Sequence, residues 1–106
     1  MRSNFRTYNL AVQFYHSTQR LLLTGALSDQ LDRASSSIAL NLAEGSARRT
    51  LKDQKRFFRI AFGSLRECQA ILDLTTPKEH PAHKEADVLA AHLYRLIQNA
   101  VEVTAA

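Results

Sequence analysis

Half of the Lys and Arg residues in this sequence of 106 residues lie between positions 48 and 66. That segment holds seven of the fourteen basic residues and a single acidic residue, Asp53. A helix rotates by about 100° per residue, so the spacing of the basic residues places five of them along one stripe and two beside it. The stripe consists of Arg48, Lys52, Lys55, Arg59 and Arg66, and it is flanked by Arg49 and Arg56.

These seven residues have the chemistry of a phosphate-binding surface. Lys and Arg contacts to a nucleic-acid backbone supply affinity rather than sequence information, so the pattern predicts binding of RNA or DNA by charge and shape. The competing interpretation, a solvated face kept charged for solubility, stays equally open. Arg48 and Arg49 come before the predicted start of the helix and could instead continue the preceding helix.

No set of residues in the sequence predicts catalysis, a cofactor or a metal site. A carboxylate-bridged di-metal bundle needs Glu-x-x-His on its helices, and no Glu here is followed by His three residues later. His80 and His83 flank Pro81 in a charged stretch, which favours surface positions over metal ligands. Cys68, the only cysteine, has apolar neighbours at helical spacing, which favours a core thiol over a nucleophile. We therefore expect a protein that is not an enzyme.

Asn41 and Glu44 lie about one helical turn apart in a run of small residues. Buried polar side chains must find hydrogen-bond partners, so we expect both residues to join a structural network at a helix or subunit junction. A carboxylate without an accompanying base is weak support for catalysis, and neither residue is assigned a catalytic role.

The elements that would carry these residues are four helices, because apolar residues recur at helical spacing and no window alternates as a strand does. The first three predicted helices cover residues 8–23, 28–48 and 50–76. A connector at 77–81 precedes the fourth, whose apolar stripe consists of Ala86, Leu89, Ala90, Leu93, Leu96, Ile97, Ala100 and Val101.

Two signals bound the third helix. Thr50 and Asp53 fit a capping box at its start, and Pro77 disfavours helical geometry in the residue before it. Connections this short bring consecutive helices into antiparallel contact. The prediction is a single all-α domain at residues 5–104, an up-down-up-down antiparallel four-helix bundle.

The sequence contains no stretch that predicts a membrane helix. Its longest aliphatic run, Leu21 to Leu23, is far shorter than the roughly 20 residues that such a helix needs. The lone cysteine cannot form an intrachain disulfide, which favours a reducing compartment. We therefore predict a cytoplasmic protein with no membrane partner.

The first helix carries more apolar surface than one core requires. Besides its main stripe, Leu10, Phe14 and Leu21 form a second apolar face, which a monomer would expose to water. We predict that these three residues form a homo-oligomer interface. The alternative is that packing within one bundle covers both faces.

One pair of motifs resembles a known family. The sequence SI..N.AEGS.R, followed by RF..IA.GSL.E, is similar to the four-helix-bundle proteins encoded in intervening sequences of bacterial 23S rRNA. The matching residues are Ser37, Ile38, Asn41, Ala43, Glu44, Gly45, Ser46 and Arg48, then Arg56, Phe57, Ile60, Ala61, Gly63, Ser64, Leu65 and Glu67. The resemblance implies ring-shaped homopentamers in which each subunit meets its neighbours through two different surfaces. Around such a ring the basic stripe would repeat as a belt.

The same resemblance extends to the accessory proteins of diversity-generating retroelements and implies a second functional hypothesis. The leading hypothesis is a non-enzymatic pentamer that binds nucleic acid, RNA in particular, through the basic surface of the third helix. The alternative is an oligomeric scaffold or accessory subunit that docks a protein partner such as a reverse transcriptase.

Overall fold

The structure is a computed structural model that describes the backbone of residues 2–99 and the side chains of residues 5–99. In this range the chain forms four α-helices and no strand: α1 (Arg2–Gln19), α2 (Gly25–Ser46), α3 (Leu51–Thr75) and α4 (Pro81–Asn99). These bounds confirm the prediction of an all-α fold with four helices.

Each helix packs against the next one, and α4 returns to pack against α1. Cross-contacts run in opposite directions along α2 and α3 and along α3 and α4. In α2 and α3, Ser37 lies beside Ser64, while Gly45 lies against Phe58. In α3 and α4, Phe62 lies near Tyr94 and Asp73 near His83. A short connector at residues 20–24 likewise returns α2 along α1. The helices therefore alternate in direction around one core.

The core consists of the inward faces of all four helices. Its largest fully buried apolar side chains are Phe14, Ile38, Leu42, Phe58, Leu65, Leu72, Leu89 and Leu93. Gly45 marks a close approach of α2 and α3, because a Cβ atom there would lie 2.7 Å from Cε1 of Phe58. Gly45 thus combines a close helix contact with a position one residue before the end of α2.

The first helix ends earlier than predicted, and the second begins earlier. The first helix was predicted to run to residue 23, but α1 ends at Gln19, and Leu22 after it is 98% exposed. The chain turns back because the amide of Leu21 donates to the carbonyl oxygen of Thr18 and Gly25 adopts a φ of 77°, in the left-handed region that glycine enters without strain. Ala100 and Val101 lie outside the described residues.

Phe14 was placed on the wrong face of the first helix. It is 1% exposed and belongs to the core of the subunit, so its assignment to an oligomer interface is wrong. Helix α1 packs between α2 and α4, and its buried stripe consists of Thr7, Ala11, Phe14 and Thr18. Leu10 and Leu21 are partly buried against the same core.

Among the described residues, no helix is long and apolar enough to span a lipid bilayer.

Candidate nucleic-acid interface

Helix α3 presents most of the predicted basic residues because of how it begins and which face it buries. The Thr50 hydroxyl accepts a hydrogen bond from the Asp53 amide (3.2 Å), which confirms the Thr50 half of the predicted capping box, whereas the Asp53 carboxylate pairs with Arg56. Its inward face packs Phe58, Ala61 and Leu65 into the core. The opposite face is open to solvent and carries the exposed basic residues Lys52, Arg56, Arg59 and Arg66, while Lys55 is partly covered at its edge.

Arg48 and Arg49 do not belong to this helical face. Helix α2 ends at Ser46 with Ala47 as its C-cap, so both arginines lie in the connector to α3. The prediction that Arg48 continues the helical stripe is therefore wrong, and so is the alternative that α2 extends through it. The fold still brings Arg48 to the basic surface, because its guanidinium lies 4.7 Å from the ring centroid of Phe57 in α3.

The Phe57 ring contacts two arginines at this end of the bundle. The Arg56 guanidinium lies 4.4 Å from the same ring centroid, so the aromatic ring contacts two cations. Arg48 also pairs with Glu44 (2.5 Å) and Arg56 with Asp53 (3.7 Å). These are exposed ion pairs, which hold side chains in place more than they stabilise the fold.

The other basic residues near the connector have no such partners. Arg49, Lys52, Lys55 and Arg59 form no hydrogen bond or ion pair with any residue that the structure describes. Lys52, Arg56 and Arg59 line a shallow open groove with Asp53 and Ile60. Uncompensated cations beside an open groove are available to an anionic backbone.

Charge is distributed unevenly along the bundle. The end formed by the α2–α3 connector and the first turns of α3 carries six of the seven predicted basic residues. The opposite end holds the α1–α2 and α3–α4 connectors. There, residues 20–33 and 73–87 contain six acidic and four basic residues. The basic surface therefore occupies one end of the subunit rather than its full length.

Asn41 lies in a polar network between α2 and α3. Its Nδ2 donates to the carbonyl oxygen (2.9 Å) and hydroxyl (3.0 Å) of Ser37, whose hydroxyl lies 2.9 Å from that of Ser64. This is the kind of helix junction that the sequence predicted for Asn41. Glu44 does not join this network, because its carboxylate pairs with Arg48 at the edge of the basic surface.

The remaining titratable groups offer little reactive chemistry. Burial, with a smaller contribution from the charge of Glu67, raises the pKa of Cys68 to about 12, so the thiol stays protonated at neutral pH. His83 Nε2 lies 3.0 Å from the carbonyl oxygen of Thr76, and its Nδ1 lies 3.8 Å from the Asp73 carboxylate. Within residues 5–99, no group of three His, Cys, Asp or Glu side chains is placed to hold a metal ion.

The structure also shows exposed apolar side chains, one of which, Ile60, borders the basic groove. Leu40 on α2 is 68% exposed, and Ile60 on α3 is 44% exposed. A groove between α1 and α4 is lined by Leu10, Phe14 and Val88. The sequence did not indicate that Leu40 and Ile60 are exposed, because each lies in a stretch of apolar or small residues, which is typical of a buried helix face.

A family model described as 23S rRNA-intervening sequence protein matches residues 5–101. This match covers nearly the whole chain and confirms the resemblance that the two motifs suggested. A comparison with curated proteins gives no match.

Proposed function

We propose that this chain, which belongs to the 23S rRNA-intervening sequence protein family, is a non-enzymatic protein that binds nucleic acid, RNA in particular, through the basic end of its bundle. Binding is driven by charge and by the shape of the phosphate backbone, with little sequence preference. We place it in the cytoplasm, where a buried thiol such as Cys68 remains reduced.

The observation that carries this proposal is the set of cations without partners at the start of α3. Arg49, Lys52, Lys55 and Arg59 have no charge-compensating contact in the described part of the chain. A face that is charged only for solubility would be expected to intersperse both signs, because mixed surfaces avoid a strong local field. Here six basic residues face only two acidic ones, Glu44 and Asp53, and the excess of positive charge lies beside an open groove.

We further propose that the protein acts as a homo-oligomer, with the pentamer implied by its family as the expected state. Leu40 and Ile60 are exposed apolar side chains on the α2–α3 side of the bundle. The groove lined by Leu10 and Val88 lies between α1 and α4, on the other side of the bundle. Two different apolar surfaces on opposite sides of the bundle support a head-to-tail contact, which is the kind that closes into rings.

The test of nucleic-acid binding is a charge reversal at matched positions. Lys55→Glu with Arg59→Glu should lower affinity for RNA and DNA of every sequence and reduce the dependence of affinity on salt. The control, Lys78→Glu with Arg33→Glu, makes the same change in net charge at the opposite end of the bundle, at exposed positions outside the α1–α4 groove. If both double variants weaken binding equally, only net charge matters and the proposed surface is wrong.

The alternative function, docking of a protein partner such as a reverse transcriptase, has its own support in the exposed apolar side chains of Leu40 and Ile60. It predicts no salt-sensitive binding of the wild-type protein to nucleic acid. Leu40→Lys would then abolish capture of the partner while leaving the isolated subunit folded, because this side chain is outside the core.

A further inference from the structure

A second group of aromatic and cationic side chains lies between α3 and α4, farther along α3 than the α2–α3 connector. The rings of Phe62 and Tyr94 lie 6.5 Å apart at an interplanar angle of 50°. The Arg66 guanidinium lies 4.7 Å from the Phe62 ring centroid. Tyr94 is 54% exposed, so much of its side chain is open to solvent.

Arg66 is held in place without losing its charge. Its Nη1 donates to Oε1 of Gln69 (2.7 Å), and Nε2 of Gln69 donates to the carboxylate of Asp87 on α4 (3.0 Å). Gln69 thus separates the arginine from the nearby acid, and Arg66 forms no ion pair with any described carboxylate. A guanidinium fixed by a ring and a neutral amide loses less side-chain entropy when it binds an anion.

We propose that Tyr94 and the Arg66 guanidinium form a stacking site for an unpaired nucleobase of single-stranded RNA. Unpaired bases stack on aromatic rings and on guanidinium planes, whereas the bases of a duplex are already stacked on one another. Arg59, one turn before Phe62 on the same helix, is exposed and unpaired, and it provides a contact for the adjoining phosphate. The inference rests on the proposed nucleic-acid binding and adds a preference for single strands.

The alternative explanation is that this group only ties α3 to α4. Gln69 and Asp87 would suffice for that purpose, because their hydrogen bond already spans the two helices. Tyr94 and Arg66 lie at the solvent-facing side of that link, where they add ring and cation surface that the described part of the chain leaves uncovered.

The experiment compares two RNA probes, a labelled oligouridylate and a duplex of the same length, by fluorescence anisotropy at low salt. Tyr94→Ala should weaken oligouridylate binding by at least about fivefold, the lower end of the effect of losing one stacked base, and leave duplex binding unchanged. Tyr94→Phe, which keeps the ring, should bind both probes as the wild type does. Arg66→Lys keeps the positive charge but removes the planar guanidinium group, and it should also weaken only oligouridylate binding.

The outcomes separate this inference from the proposed function. If the wild type binds neither probe, the proposed function fails, and the stacking site fails with it. If the wild type binds both probes and Tyr94→Ala affects neither or both equally, only the stacking site is wrong. A changed hydrodynamic mass of Tyr94→Ala would show that the ring faces another subunit, which also overturns the inference. If circular dichroism shows that Tyr94→Ala is unfolded, Arg66→Lys is the test instead. Unchanged oligouridylate affinity of Arg66→Lys would then overturn the stacking site.

Discussion

The two glycines inside the helical stretches of α2 and α3 should respond in opposite directions to the same substitution. Gly63→Ala adds a Cβ with no described atom within 4 Å, so only the backbone preference changes. Alanine is more favourable than glycine in a helix by about 0.5–1 kcal/mol. We expect Gly63→Ala to stabilise the protein by that amount and to raise its Tm by a few degrees.

Gly45→Ala carries the same helix preference but adds its Cβ where there is no space. The new atom would lie 2.7 Å from Cε1 and 2.9 Å from Cδ1 of Phe58, whose ring is buried and cannot swing away into solvent. Overpacking of this kind costs about 1–3 kcal/mol, which exceeds the gain in helix preference. Taking the middle of both ranges, we expect a net loss of about 1 kcal/mol.

Urea denaturation monitored by circular dichroism measures both variants, at one fixed protein concentration because oligomers gain apparent stability with concentration. The pair forms its own control, since the chemical change is identical. A stabilised Gly45→Ala would refute the close packing of α2 on Phe58. A destabilised Gly63→Ala would show that Gly63 packs against a neighbouring subunit rather than facing solvent.

Three further predictions concern the core, the cap and the thiol. Phe14→Ala should lower the free energy of unfolding by about 3–5 kcal/mol, measured by urea denaturation, because the side chain is buried within the subunit; a change in assembly at unchanged subunit stability would contradict this. Thr50→Ala should cost about 1 kcal/mol in the same assay through loss of the bond to the Asp53 amide, whereas Thr50→Ser should be nearly neutral. Cys68 should be unreactive towards a thiol reagent until the protein unfolds. The unfolded thiol ionises near 9 and the folded one at about 12, so stability should fall between these pH values, and less steeply in Cys68→Ala.

The features that the sequence predicted correctly are those that depend only on residues close together in the chain. The start of α3 follows from Thr50 and Asp53, because a capping bond involves only neighbouring residues. The buried face of α1 could not be predicted in this way. It includes Thr7 and Thr18, and their hydroxyl groups are typical of a polar, solvent-facing stripe. Thr18 is accommodated in the interior by hydrogen bonds to the carbonyl oxygen of Tyr15 (2.7 Å) and to the hydroxyl of Ser35 (3.3 Å). Only the packing of α2 beside α1 supplies the second of these partners.

In the candidate site, too, some features follow from the sequence and others depend on packing between helices. The spacing of the basic residues correctly placed most of them on the solvent face of α3. It could not show that Arg48 leaves the helix, because the end of α2 depends on how its last turn packs on Phe57 and Phe58. The stacking of Arg66 on Phe62 could have been recognised, since residues four apart on a helix are neighbours. The contribution of Tyr94 could not, because it comes from a different helix.

The uneven charge along the bundle gives each subunit an electric polarity, with the α2–α3 connector as its positive pole. In the field of a polyanion such a subunit experiences a torque and turns its positive pole towards the strand before contact, which raises the fraction of productive encounters. Cyclic symmetry preserves this orientation, because every copy in a closed ring points the same way along the axis. In a ring whose bundles lay along its axis, the two sides would therefore differ in charge, and nucleic acid would be attracted to one of them.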